Sequence, residues 1–260
     1  MTKMRHNNRN TNKRSNKVTQ GTQQIIEDKF EEERKLPPIQ ALNEKQKNYI
    51  NLLKTCNIVV VNGLFGTGKS YISAAIAADA LRQGKVSKVI VARPYVFTGK
   101  DSGSKPGSTL EKLYCFVRNV LDTMEKRMGK GAFAVALKDG QHGDIEVQEL
   151  SSIRGRSFDE PSFLLIEEAQ QSTPEEMLAI VSRISDNCTL VISGDDSQRD
   201  VRGKSGLSWF TEFAKRHNLQ GVGFVNFDEV TDIVRGGVVA DIARGLIHDN
   251  KNGVKTPQST

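Results

Sequence analysis

Gly63-Leu-Phe65-Gly66-Thr67-Gly68-Lys69-Ser70 fits the pattern GxxxxGK[ST]. Its glycines let backbone N–H groups turn toward one centre and wrap the oxygens of a phosphate chain. Lys69 can reach the last two phosphates, and a hydroxyl at Ser70 is placed to ligate Mg²⁺. Gly63, Phe65, Gly66, Thr67, Gly68, Lys69 and Ser70 are therefore candidate ATP-binding residues. A second cluster closes the apolar run Phe163-Leu-Leu-Ile166 with Glu167-Glu168. Two carboxylates at a strand end can divide two tasks. Glu167 can hold Mg²⁺, directly or through water, and Glu168 can polarise an attacking water. A base in that place suits an ATPase that activates water better than a small-molecule kinase.

These residues need a scaffold that brings them to one edge. Asn57-Ile-Val-Val-Val-Asn62 is short and β-branched, as a buried strand should be, and it runs straight into the glycine loop. An Ala-rich helix is expected over residues 69–83, stopped by Gly84. Upstream, Asn43-Glu-Lys-Gln46 carries the N-cap pattern of a helix reaching about Leu53. Further strands are expected at 88–92, 145–150, 162–167, 189–193 and 221–226, and helices from Thr109 and Thr173, at 207–216 and at 238–247. The segment 129–160 is otherwise hard to read. Strand–helix alternation without a repeat predicts an α/β fold, a P-loop NTPase with a single RecA-like core and a mostly parallel sheet covered by helices on both faces. Ligands in such folds bind beyond the carboxyl ends of the strands, where the loop and the carboxylates would meet.

Three segments follow from composition. Residues 1–38 are polar and end at Pro37-Pro38, residues 39–249 form the ATPase domain, and residues 250–260 are a second polar tail. Both tails are expected to be disordered, the first with some helix. Six cations and no acid lie within Met1–Gln20, which leaves 31 basic and 31 acidic residues in the remainder, so the net charge of +6 belongs to the tail. No apolar run is long enough to span a membrane. Basic N-terminal residues with no apolar stretch behind them exclude a secretory signal. Three unpaired, scattered cysteines offer neither a disulfide framework nor a metal spacing, and a reducing cytoplasm suits them.

Further segments resemble one family. Ile166-Glu-Glu-Ala-Gln170 resembles a DEAQ box, and Ser193-Gly-Asp195-Asp-Ser-Gln198 the GDxxQ motif that follows it. With Ala92-Arg93-Pro94, Ile153-Arg154-Gly-Arg156-Ser, Lys204-Ser-Gly-Leu207 and Asp232-Ile-Val-Arg235, their order and spacing are similar to the PhoH family of bacteria and bacteriophages, over about residues 40–248. No PIN nuclease or RNA-binding KH segment accompanies them, so the resemblance implies a short form.

That resemblance implies an ATPase site made of Lys69, Ser70, Glu167, Glu168, Gln198 and Arg235. In it Gln198 senses the γ-phosphate and Arg235 is an arginine finger. Gln46 sits where superfamily-one helicases place an adenine-reading glutamine. A homo-oligomeric ring, most commonly a hexamer, is also implied, with Arg235 reaching across to a neighbour; a monomer using Arg235 on its own site is the alternative. The implied location is the cytoplasm, that of the host if the chain is phage-encoded. The family usually has Asp where this chain has Glu167, which is longer by roughly 1.5 Å. A water-bridged Mg²⁺ contact tolerates that length, whereas a direct one would require the strand to shift.

Single-stranded RNA or DNA is the expected substrate, with a nucleotide-switched regulatory or assembly ATPase as the alternative. The basic tail suits salt-sensitive phosphate binding, or simply solubilises the chain. Arg93, Lys100, Lys105, Arg154 and Arg156 are the candidates on the core, although Arg154 and Arg156 could equally bridge carboxylates. Aromatic residues make up 6% of the chain and show no clustered pair to serve as a stacking platform.

Overall fold

Five short, largely apolar runs and one alternating segment become the strands of a single sheet in the computed structural model, which describes residues 36–94, 109–138, 143–199 and 203–252. They are β1 (Ile58–Gly63), β2 (Lys88–Arg93), β3 (Ile145–Glu149), β4 (Ser162–Ile166), β5 (Cys188–Gly194) and β6 (Val222–Phe227). Their order is β3-β2-β4-β5-β1-β6, and every pairing is parallel. Parallel neighbours need crossover connections, and helices supply most of them.

Successive strand residues are buried on alternate faces of the sheet, which divides the core in two. Val59 and Val61 of β1 pack with Val89, Val91, Leu165 and Val191 on one face; Val60 packs with Ile90, Leu164, Ile166, Leu190 and Ile192 on the other. The first face is covered by α1 (Glu44–Thr55), α2 (Lys69–Arg82), α3 (Thr109–Phe116), α4 (Arg118–Met128) and α5 (Lys130–Leu137). The second is covered by α6 (Pro174–Val181) and α7 (Gly206–Arg216), and α8 (Val238–Lys251) closes the described chain. Burial on both faces explains why the central strands read as continuous Val/Ile/Leu runs.

Local signals set several boundaries. The Asn43 side chain accepts from Gln46 N at 2.8 Å and caps α1. Thr173 and Glu176 form a reciprocal capping box ahead of Pro174, which starts α6. The helix expected from Thr109 is broken at Val117 into α3 and α4, and a 3₁₀ turn over Leu150–Gly155 follows β3. The last helix runs one turn beyond the expected Ile247, to Lys251, and so takes in residues assigned to the C-terminal tail. Expectations for residues 1–35 and 253–260 lie outside the described residues.

The arginines of the 150s are engaged in packing. Glu146, on β3, is 2% exposed and receives Lys88 Nζ at 2.6 Å on one oxygen and Arg156 on the other. Burial by itself would raise its pKa, but hydrogen bonds and charge from Arg156 and Lys88 outweigh it and hold the carboxyl below its ordinary value. Arg154 bridges to Glu176 on α6 at 2.8 Å. Arg156→Ala would leave the buried carboxylate with one cation and is expected to cost roughly 1–3 kcal/mol of stability, read as a lower urea midpoint. The folded-state pKa lies below the unfolded one. The stabilisation is therefore full above the unfolded value and vanishes as pH falls through the folded one, so the two proteins should converge only once the pH is below the folded-state value.

Helix geometry also assembles an aromatic group that is not visible as a cluster in the linear sequence. Trp209 and Phe213 lie one turn apart on α7 and stack at 5.4 Å between ring centroids, with His217 continuing the row at 4.7 Å from Phe213. This corrects the expectation of no clustered pair: residues four apart share a helix face, so proximity in sequence is the wrong test.

Candidate nucleotide site

Three adjacent strand ends build the floor of the site. β5 lies between β1, which leads into the glycine loop, and β4, which leads into Glu167 and Glu168. Asp195 follows the end of β5 and so stands between the loop and the carboxylates. Gly63 ends β1 against β6 at φ 144°, and a Cβ there would sit 2.2 Å from Phe227 O. Only glycine permits this approach. Leu64 N then donates to the same carbonyl at 3.2 Å. Gly68 takes φ 86° and ψ 12° at the N-cap of α2, which turns the N-terminus of that helix into the site.

A cavity of about 680 Å³ opens above these ends. Gln46, Phe65, Gly66, Thr67, Gly68, Lys69, Ser70, Glu167, Glu168, Gln198 and Arg235 all line it. Gly63 lies beneath, its carbonyl accepting from Lys69 Nζ. Residues nearly 190 positions apart in the chain are thus brought to one space.

The Lys69 ammonium donates to the carbonyls of Gly63 and Leu64, the latter at 2.8 Å. Burial pushes its pKa below the usual lysine range, against the pull of Asp195, Glu167 and Glu168. A phosphate chain entering the loop would offer this cation a better partner than two carbonyls. Ser70 Oγ donates to Glu167 Oε2 at 2.6 Å. Glu167 Oε1 is buried and has no hydrogen-bond partner among the described residues. Burial pushes the Glu167 carboxyl up to about 7; the nearby Glu168 charge adds to this, while Ser70, Lys69 and Arg93 oppose it. A hydroxyl beside a carboxylate with one orphaned oxygen is a donor set that fits Mg²⁺, which would supply the missing positive charge. The extra length of Glu167 is accommodated with β4 in regular register on β5, its side chain reaching across to Ser70.

Glu168 adopts φ 55° and ψ 41°, a left-handed conformation rare outside glycine. Its Oε2 accepts from Gln170 Nε2 at 2.7 Å, and Gln170 Oε1 accepts from Asp195 N at 3.0 Å. Gln170 is fully buried, so it fixes Glu168 relative to the end of β5. Asp195 in turn accepts from Gln198 Nε2 at 2.9 Å and from Ser197. Gln170 and Asp195 lie within the DEAQ-like and GDxxQ-like segments, which by themselves assign neither residue a role. Their positions within those motifs were the available signal.

Gln46 is 3% exposed, accepts from Leu42 N at 2.8 Å and donates to Thr67 O at 2.9 Å. It therefore ties α1 to the glycine loop. Arg235 is exposed, and its own backbone N–H and that of Val234 donate to Gly66 O at 3.2 and 3.0 Å. The segment is thus fastened to the glycine loop of its own chain. Arg93 closes β2 and donates to Phe116 O at 3.2 Å, its guanidinium 4.8 Å from the centre of the exposed Phe116 ring. Lys100 and Lys105 lie outside the described residues. Asn119, Asp122, Thr123 and Lys126 of α4 also line the cavity, and the sequence reading missed them. Their spacing of three and four places them on one helix face, a pattern that a solvated face shows equally.

No helix among the described residues is long and apolar enough to cross a membrane. The family model for PhoH-like protein matches residues 38–246. The chain is 32% identical over 209 residues to the PhoH-like protein of Bacillus subtilis (strain 168), covering 80% of this chain and 63% of that one. It is 34% identical over 203 residues to Protein PhoH of Escherichia coli (strain K12), covering 77% of this chain and 56% of the relative. It thus spans less than two thirds of either relative's length. Among solved structures it is similar to the UvsW helicase from bacteriophage T4, with a TM-score of 0.45 and 16% identity over 77% of this chain and 67% of that one. With the glycine loop, the acidic strand end and the late arginine gathered round one cavity, and the family model matching residues 38–246, this P-loop chain belongs to the PhoH-like family.

Proposed function

We propose that the chain hydrolyses ATP with Mg²⁺ and couples that cycle to single-stranded RNA or DNA. The observation that carries the ATPase reading is the single cavity joining the glycine loop, Glu167, Glu168, Gln198 and Arg235. Loop N–H groups and the N-terminus of α2 receive the phosphates, and Lys69 moves from the loop carbonyls onto the last two. Ser70 and Glu167 would hold Mg²⁺, which neutralises charge on the phosphate oxygens when bound. Glu168 orients the attacking water and accepts its proton, held in place by Gln170. Gln198, fixed by Asp195, faces the terminal phosphate, and the Arg235 guanidinium completes the charge around it.

The nucleic-acid half of the reading rests on the six cations of Met1–Gln20 and on Arg93 beside the exposed Phe116 ring. Phosphate release from ATP, measured with and without single-stranded RNA and DNA, tests both halves. Stimulation by either strand supports the coupling. Turnover indifferent to both favours a switch or assembly ATPase, and no turnover under any condition overturns the proposal.

Glu167→Gln is expected to raise the Mg²⁺ concentration for half-maximal turnover by about tenfold, because the orphaned oxygen loses its charge. A Mg²⁺ titration of phosphate release reads this, and an unchanged midpoint would remove Glu167 from the metal site.

A further inference from the structure

Arg235 is exposed and reaches the cavity from a segment outside the sheet, so something must hold that segment still. Its two backbone bonds to Gly66 fix only one end. The other end turns on Asp232, which is 3% exposed and accepts from Glu229 N at 2.8 Å. Lys45 Nζ, from the first turn of α1, reaches the same Asp232 oxygen at 2.8 Å, and also meets Asp228 at 2.8 Å and Glu229 at 3.7 Å. Asn43 Nδ2 adds a long contact to Asp232 O at 3.5 Å. One residue further on, Gln46 donates to Thr67 O in the glycine loop. The first turn of α1 therefore grips both parts that must stay in register, the loop through Gln46 and the arginine segment through Lys45.

We propose that Lys45 is a positioning residue for Arg235, clamping the 228–232 turn so that the guanidinium stands at the terminal phosphate of its own chain's site. The inference deepens the ATPase reading and rests on it. Burial acts to lower the pKa of Lys45, but the Asp228 and Asp232 carboxylates outweigh it and keep the ammonium charged at any working pH. The bond from Lys45 to Asp232 is half-sheltered on the lysine side and closed on the aspartate side, so solvent screens it less than an ordinary surface pair. A clamp of this kind acts on turnover. Substrate affinity comes mainly from the glycine loop, which Lys45 does not touch.

The test uses the full chain and four variants: Lys45→Met, Lys45→Arg, Asp232→Asn and Arg235→Ala, with the double variant Lys45→Met/Arg235→Ala. Steady-state phosphate release gives kcat and KM for each, and thermal melting reports folding. Lys45→Met and Asp232→Asn are each expected to lower kcat by about 10- to 100-fold, the range expected when a catalytic group is displaced by about 1 Å, with KM for ATP within about twofold of the wild type. Lys45→Arg, which keeps the charge and the reach, should recover most of the turnover. In the Arg235→Ala background the further loss from Lys45→Met should vanish, because there is no guanidinium left to position. If either variant fails to melt cooperatively, the other decides on the same criteria. Full kcat in a folded Lys45→Met or Asp232→Asn, a rise in KM without loss of kcat, or multiplicative losses in the double variant would each overturn the clamp. Wild-type turnover in Arg235→Ala would instead overturn the finger reading and the clamp with it, so the two failures are told apart.

Discussion

Lys69→Ala is expected to lose phosphate release by about 10²-fold or more and to weaken ATP binding with it. No other cation in the loop can stand between the last two phosphates, and the charged groups that act on the Lys69 ammonium are the carboxylates of Asp195, Glu167 and Glu168. Removing the ammonium therefore leaves three negative groups facing a negative ligand. Glu168→Gln provides the contrast. It keeps the loop and the Lys69 cation, so ATP should bind as before, yet turnover should fall by about 10²–10⁴-fold because the water loses its base. Gln170 can still hold the new carboxamide near its present place through the contact now made at 2.7 Å. Equilibrium binding of a fluorescent ATP analogue together with phosphate release separates the two variants. Equal binding defects in both, or full turnover in either, would break the assignment of Lys69 to the phosphates and Glu168 to the water.

Arg235→Ala is expected to reduce turnover by roughly 10³-fold with little change in ATP binding. Arg235 is exposed and lines the cavity, and a cation there is worth most once the phosphate is shielded from water. The structure makes a further distinction that the family resemblance does not. Because Val234 and Arg235 are hydrogen-bonded to Gly66 of the same chain, each chain should use its own arginine. Mixing Arg235→Ala with Lys69→Ala should then restore nothing, since every site carries a defect. Recovered phosphate release in the mixture would mean that a neighbouring copy completes the site, as the ring implied by the family resemblance requires.

Much of this was legible in the residues because it is encoded locally. The turn from Gly63 to Ser70 depends on contiguous residues, on glycines where the backbone takes positive φ and on a helix that starts at Lys69. The caps at Asn43 and Thr173 depend on a side chain and the next three residues. The central strands were readable because both faces of the sheet are covered, so their buried residues are mainly Val, Ile and Leu, whereas β3 at the edge, Ile145–Glu149, mixes apolar and polar residues. The family motifs also pointed to Gln198 and Arg235, and both line the cavity.

Long-range pairing was not legible, because nothing in a local pattern names its partner. Strand order put β5 between β1 and β4 and made Asp195 and Gln170 the link between Glu168 and Gln198. Arg154 and Arg156 could have met nucleic acid or carboxylates, and in the fold they meet Glu176 and Glu146. The polar stripe of α4 reads as a solvated face until the packing of that helix turns it toward the cavity. The backbone contact that fastens Arg235 to Gly66, 169 residues earlier in the sequence, was likewise invisible in any local pattern. Turn and strand propensities act over a few residues, whereas an ion pair or a shared cavity exists only after the chain has closed its loops. The phosphate loop could therefore be read from the residues, and the arrangement of charges around it could not.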